Sequence, residues 1–280
     1  MLFEKILLCT DFSTPSKLLL NCIPELMNLG LKEVILTHVV NIKSAGGNAD
    51  EIQKYDEEKL LQKKIQLEKM GLKVNVKVPV GFPAEEIVKT AQNENASLIL
   101  IASHGMGFIK SLLGSTTFDT LRISTVPVLV EKYKDIDKEE CRAYCAEKFK
   151  KVLLPVDFSE ASYRVIEEVK KAGKAIEEII LVSVIEKSES ADELKKTRQA
   201  AEEKLNQLKD DFINLGFKAK IEIKEGTASK NILETAEKDE VSLIALSKHG
   251  AGTVKGLLIG STADSIARHS KIPVLLFPYK

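Results

Sequence analysis

The run LLCTDFS at residues 7–13 returns as LLPVDFS at residues 153–159, with Asp11 and Asp157 at the same place in each. Other landmarks repeat at nearly the same spacing. His104 answers to His249, Gly114 to Gly260, and VPVLV at 126–130 to IPVLLF at 272–277. A near-constant offset sustained over half a chain marks tandem copies of one unit. The halves run from 1 to 134 and from 150 to 280, and residues 135–149 form a short charged linker, expected to contain a helical turn or two.

Each half alternates strand-like and helix-like segments. In the second, KVLLPVD is a short apolar run, and a helix opens at Ser159, a residue type favoured at N-caps. EEIILVSVI is β-branched and apolar. Between 192 and 215, apolar residues fall at Leu194, Ala201, Leu205, Leu208, Phe212 and Leu215, the spacing of an amphipathic helix. FKAKIEIKEG alternates like an edge strand; NILETAEKD reads as helix, VSLIALS as buried strand, VKGLLIGSTADSIARH as helix and IPVLLF as the last strand. Alternation of this kind, with right-handed crossovers, gives an α/β fold: two tandem doubly wound parallel-sheet domains. The apolar first and fourth strands need cover on both faces, and the alternating third belongs at an edge. The expected strand order is therefore 3-2-1-4-5. Its switch point lies between strands 1 and 4, where open α/β sheets bind ligands. The apolar fifth strands should not remain bare edges, and are expected to pair within the chain or in a dimer.

The residues at that switch point are informative. HGMGFIKSLLGST at 104–116 and HGAGTVKGLLIGST at 249–262 both follow strand 4. Gly105, Gly107 and Gly114, with Gly250, Gly252, Gly256 and Gly260, bring bare backbone to a helix start, where free N–H groups favour an anion. Ser115, Thr116, Ser261 and Thr262 add hydroxyl donors. The alternative is that these glycines serve only tight turns and close packing. Neither GxxxxGK[ST] nor GxGxxG fits, so this is not a Walker or Rossmann phosphate site. Asp11 and Asp157 could accept ribose hydroxyls, hold a metal, or cap the following helix. His104 and His249 find no recognisable triad and read as rim residues. His38, at the end of strand 2, has Ser183 in its place in the other copy, which makes it a poor catalytic candidate.

Composition narrows the class. The chain has 280 residues, with 41 Lys+Arg against 41 Asp+Glu, and no basic run of the kind a nucleic-acid surface requires. Glu4 and Lys5 interrupt the N-terminal apolar run, unlike a signal peptide, and no stretch approaches the ~18 apolar residues of a membrane span. Cys9 and Cys22 read as buried free thiols. Cys141 and Cys145 have no second ligand pair at zinc spacing. A soluble cytoplasmic protein is expected.

The "TDFS" and "VDFS" turns, "HVV" and "VSVIE" at strand 2, the glycine stretches and "PVLV" together resemble the universal stress protein family in its tandem form. The resemblance spans both halves. It implies the adenine nucleotide α-hydrolase-like arrangement and binding of ATP or AMP, with Mg or Mn as candidate metals. It further implies a stress-response role, usually as a dimer and without a well-defined catalytic reaction. Carried over by position, Asp11 and Asp157, with Thr10 and Pro155 beside them, would meet the nucleoside. Val39 and Val184 would present backbone groups to adenine. Gly105, Gly114 and Ser115, with Gly250, Gly260 and Ser261, would hold phosphates.

The family pattern G-x2-G-x9-G-[ST] is imperfect here. Its first glycine is Ala102 in one half and Ser247 in the other, and Gly105 and Gly114 enclose eight residues where Gly250 and Gly260 enclose nine. Since a helix turns about 100° per residue, the deletion is expected to re-aim the Gly–Ser N–H groups unless a loop absorbs it. On that basis the second site is the better triphosphate binder, and the first is weaker, holds AMP or stays empty. Two other functions compete with nucleotide-dependent regulation: a slow nucleotide hydrolase or phosphotransferase, and a non-binding pseudo-dimeric scaffold.

Overall fold

The computed structural model describes residues 3–104, 113–134, 142–143, 147–186, 190–252 and 258–278. It divides into two compact units between residues 146 and 147. The first contains strands β1 (Lys5–Cys9), β2 (Glu33–Thr37), β3 (Lys73–Lys77), β4 (Leu98–Ala102) and β5 (Val128–Glu131). Its main helices are α1 (Thr14–Leu18), α2 (Ile23–Asn28), α3 (Ala49–Glu68), α4 (Pro83–Asn93) and α5 (Ser115–Ile123). The second contains β6 (Lys151–Pro155), β7 (Glu178–Ile185), β8 (Lys218–Glu225), β9 (Leu243–Ser247) and β10 (Val274–Phe277). Its helices are α6 (Glu160–Lys170), α7 (Ala191–Asn214), α8 (Ala228–Lys238) and α9 (Ser261–His269).

Both units realise the expected order. The first runs β3-β2-β1-β4-β5 and the second β8-β7-β6-β9-β10, with parallel pairing throughout. Burial explains the choice. Ile6, Leu7, Leu98, Ile99 and Leu100 are wholly buried, as are Val152, Leu153 and Ile244, so β1, β4, β6 and β9 suit central positions covered on both faces. Lys218–Glu225 has no fully buried residue and takes the edge.

Local chemistry sets the helix boundaries. Ser159 accepts from the Ser162 N–H and caps α6, and Ser13 does the same for α1 through Ser16. In the first unit that helix is broken into α1, a 3-10 turn and α2, with Pro24 in the first turn of α2. Proline lacks the N–H that a continuing helix would use. Along α7, Ala201, Leu205, Leu208 and Phe212 are buried as the periodicity predicts, whereas Leu215 is exposed.

Two expectations need correction. The helix after β9 begins only at Ser261, with Gly260 as its N-cap, and not at Val254. Residues 253–257, including Gly256, lie outside the described residues. At the linker, Tyr133–Lys134 pairs antiparallel with Arg142–Ala143 and residues 147–150 form a turn, while 135–141 and 144–146, where the helical turns were expected, lie outside the described residues. Cys9 is a buried free thiol, but Cys22 is disulfide-bonded. Cys141 and Cys145 lie outside the described residues.

Candidate functional site

In the second unit β7 runs past the end of β6; in the first, β1 and β2 end in register and the chain beyond β2 pairs again at Val40–Asn41, with Val80–Gly81. Thr10 N–H donates to Thr37 C=O at 2.9 Å, whereas the His38 and Val40 N–H groups donate to Lys77 and Pro79 on the opposite side. Backbone groups of successive strand residues face opposite neighbours. Val39 therefore faces the side of β1, beyond that strand's end. The second unit repeats this. Val156 N–H donates to Val182 C=O at 2.8 Å and Gly226 N–H to Ile185 C=O at 3.0 Å, which aims Val184 past the end of β6.

Opposite these backbone groups lies a helix start. Gly114 and Gly260 are the N-caps of α5 and α9, each nine residues long, and neither start has a side-chain cap hydrogen bond. First-turn N–H groups lack intrahelical partners and suit an anion. Thr117 Oγ1 donates to Ala102 C=O at 2.7 Å and ties α5 to β4.

Between these walls lie two cavities, of about 430 Å³ in the first unit and about 400 Å³ in the second. Thr10, Asp11, Val39, Ala102, His104, Gly114, Ser115 and Thr116 line the first. Pro155, Asp157, Val184, Ser247, His249, Gly250, Gly252, Gly260, Ser261 and Thr262 line the second. Gly105 and Gly107 lie outside the described residues.

The unequal loop lengths do not alter the helix starts. Gly114 N–H donates to Ser103 C=O at 2.8 Å, and Gly260 N–H to Lys248 C=O at 2.9 Å. Each glycine is thus pinned to the residue that follows the fourth strand. The missing residue is absorbed ahead of the cap, and the rotation expected of a continuous helix does not occur.

Asp11 and Asp157 form the same turn. Oδ1 of each accepts from the N–H of the serine two residues on, at 3.0 Å, and from that serine's hydroxyl, at 2.5 Å in the first unit and 2.6 Å in the second. The helix caps are thus Ser13 and Ser159, and each aspartate holds its capping serine in place. In the second unit Oδ2 also accepts from Ala251 N–H at 2.7 Å. Burial against the loop pushes the Asp157 carboxyl up, but the Ser159 hydroxyl and the Ala251 and Ser159 N–H groups outweigh it, leaving the pKa below the ordinary value.

Sequence reasoning missed Phe12 and Phe158, which have φ of 62° and 59°. A bulky residue rarely adopts this left-handed conformation, so the turn after the first strand is strained in both copies. The repeated Asp-Phe-Ser was the available signal. Lys59 stands 4.7 Å from the Phe12 ring centre and Lys204 5.1 Å from that of Phe158.

The first unit adds a polar cluster of its own. His38 Nδ1 lies 2.8 Å from Thr10 C=O, and its Nε2 lies 3.4 Å from Oδ2 of buried Asp56 on α3. Lys59 pairs with Asp56 at 3.2 Å, and Lys63 donates to Thr10 Oγ1 at 3.2 Å. Burial lowers the Lys63 pKa, with Lys17 adding to the effect and Asp11 opposing it. Among the described residues no group of three or more His, Cys, Asp or Glu could hold a metal ion, so these side chains provide no cage for Mg or Mn. The same residues include no helix long and apolar enough to cross a membrane.

The family profile described as Universal stress protein family matches residues 2–132 and again residues 148–278. The chain belongs to this family. Universal stress protein MJ0577 of Methanocaldococcus jannaschii is 32% identical over 159 residues, 48% of this chain and 98% of its own length. A family member of known structure from Archaeoglobus fulgidus is 28% identical, with a TM-score of 0.75 and coverage of 99% of both chains. A putative family member from Pseudomonas aeruginosa shares the fold at 16% identity, with a TM-score of 0.69.

Proposed function

We propose that this chain binds an adenine nucleotide, ATP or AMP, in its crevices and acts as a nucleotide-dependent regulatory protein of the cytoplasmic stress response. One observation carries this reading. Each crevice sets a backbone N–H and C=O, from Val39 or Val184, across from a glycine-capped helix start. A paired backbone donor and acceptor suits the edge of a purine, and unpartnered first-turn N–H groups suit a phosphate. Asp11 and Asp157 line the same cavities, with carboxylate oxygens able to accept ribose hydroxyls. Assembly through the apolar fifth strands, within the chain or between chains, belongs to the same proposal.

Mass spectrometry of small molecules released from freshly purified protein, together with titration of emptied protein with AMP and ATP, tests the reading. Release of an adenine nucleotide, or saturable binding of either, is expected. Protein that carries none and binds neither overturns it.

A further inference from the structure

The glycine loop of the second crevice is in contact with the protein's own carboxylate. Asp157 Oδ2 accepts from Ala251 N–H at 2.7 Å, while Oδ1 is held by the Ser159 N–H and hydroxyl. Gly250 shows how closely the loop approaches. A Cβ built there would lie 2.5 Å from Asp157 Oδ2, so the carboxylate would have to shift to admit one. The missing side chain at Gly250 therefore makes room for Asp157, rather than only for a ligand.

An N–H group serves one strong acceptor at a time. A phosphate oxygen approaching Ala251 meets a carboxylate already seated on that donor, and two anions at such a distance repel. The phosphate must either displace the carboxylate, against its bonds to Ser159, or stay clear of the donor. A neutral nucleoside bears none of this cost, a monophosphate little, and a triphosphate most.

We propose that Asp157 is the resident anion of the second crevice and sets its preference toward weakly charged ligands, an adenine nucleoside or nucleoside monophosphate ahead of the triphosphate. The proposal rests on the nucleotide reading above and reverses the ranking that loop length alone suggests.

The test follows the amides of Ala251 and Gly252 by 15N–1H NMR in the full chain, so that events at the first crevice do not enter. Wild type, Asp157→Asn and Gly250→Ala are each titrated with AMP, ATP and inorganic tripolyphosphate. Asparagine keeps the shape and removes the charge; the alanine methyl pushes the carboxylate off the loop without removing it. In wild type AMP binds more tightly than ATP. Both variants shift the ATP-to-AMP affinity ratio toward ATP, by about tenfold for Asp157→Asn, the scale of one charged hydrogen bond. Wild type that prefers ATP, or a ratio unchanged in both variants, overturns the proposal. Tripolyphosphate separates the gate from the base. If the variants admit it and wild type does not while no protein binds AMP or ATP, the nucleotide reading fails and the charge gate stands. Equal tripolyphosphate binding by all three proteins removes the gate.

Discussion

The two crevices share a frame and differ in what holds it. In the first, His38 reaches from the end of β2 to the Thr10 carbonyl and to buried Asp56, so the covering helix α3 is fastened to the crevice by polar groups. In the second, Ser183 and Ala201 occupy the positions of His38 and Asp56, and Leu208 that of Lys63. Ala201 and Leu208 are buried, so α7 packs by apolar contact. There the turn after β6 is also tied to the loop, through Asp157 and Ala251; the loop residues that match them in the first unit lie outside the described residues. Duplicated units thus keep one ligand geometry while the surrounding support changes, provided that interacting residues change together.

That pairing can be broken directly. Replacing His38 by Ser, the residue of the other copy, leaves Asp56 buried with its imidazole partner gone. Loss of a partner to a buried carboxyl group puts the cost to the first unit at about 2–3 kcal/mol. Adding Asp56→Ala removes the buried carboxylate, which Lys59 alone then serves, so the double variant is expected to recover more than half of that loss. Urea unfolding of the two single variants and the double variant measures the coupling. Additive losses would mean that His38 and Asp56 act independently, and that their joint replacement in the second unit is incidental.

A smaller effect comes from the residue after the fourth strand. Where the first unit has Ser103, the second has Lys248, which is buried and whose amine is pushed by that burial from 10.5 down to about 8. Below pH 8 the lysine is protonated both folded and unfolded, and the folded state bears the whole desolvation cost. Between about 8 and 10.5 the folded state releases the proton while the unfolded state keeps it. Stability therefore rises with pH across that window. Lys132 in the first unit, also pushed down to about 8 by burial, contributes in the same sense. Lys248→Met should flatten part of the rise in pH-dependent unfolding experiments. An unchanged slope would show that the amine keeps its proton when folded.

Much of this was legible before the structure. The strand order followed from which segments are wholly apolar, and the crevice from where the order reverses. Asp11, Asp157 and the Gly–Ser–Thr helix starts stood out because they recur. Asp56 did not, since it lies in the polar run DEIQKYDEEK and nothing local separates a buried carboxylate from its exposed neighbours. The start of α9 was misjudged for the opposite reason. VKGLLIG carries helix-like apolar spacing, but the cap is fixed by a tertiary hydrogen bond from Gly260 to Lys248, which periodicity does not encode. The contact between Asp157 and the glycine loop joins residues 94 apart and had no sequence signature.

The smallest expected effect is also the one that most sharpens the comparison. Inserting one glycine between Gly107 and Gly114 gives the first loop the length of the second. Were the loop and α5 one rigid helix, the insertion would rotate Ser115 and Thr116 by about 100° and change phosphate binding by the roughly 5- to 150-fold that a charged hydrogen bond carries. The structure gives the opposite expectation. Gly114 N–H is anchored on the Ser103 carbonyl at 2.8 Å, just as Gly260 is on Lys248 at 2.9 Å, and both helices begin at the next residue. An added residue should therefore enlarge the loop and leave the helix start in place. ATP affinity at the first crevice, followed through the Ser115 and Thr116 amides, should change by less than about threefold, a shift well under 1 kcal/mol. A larger change would show that the loop sets the aim of the helix, and would restore loop length as the cause of any difference between the two sites.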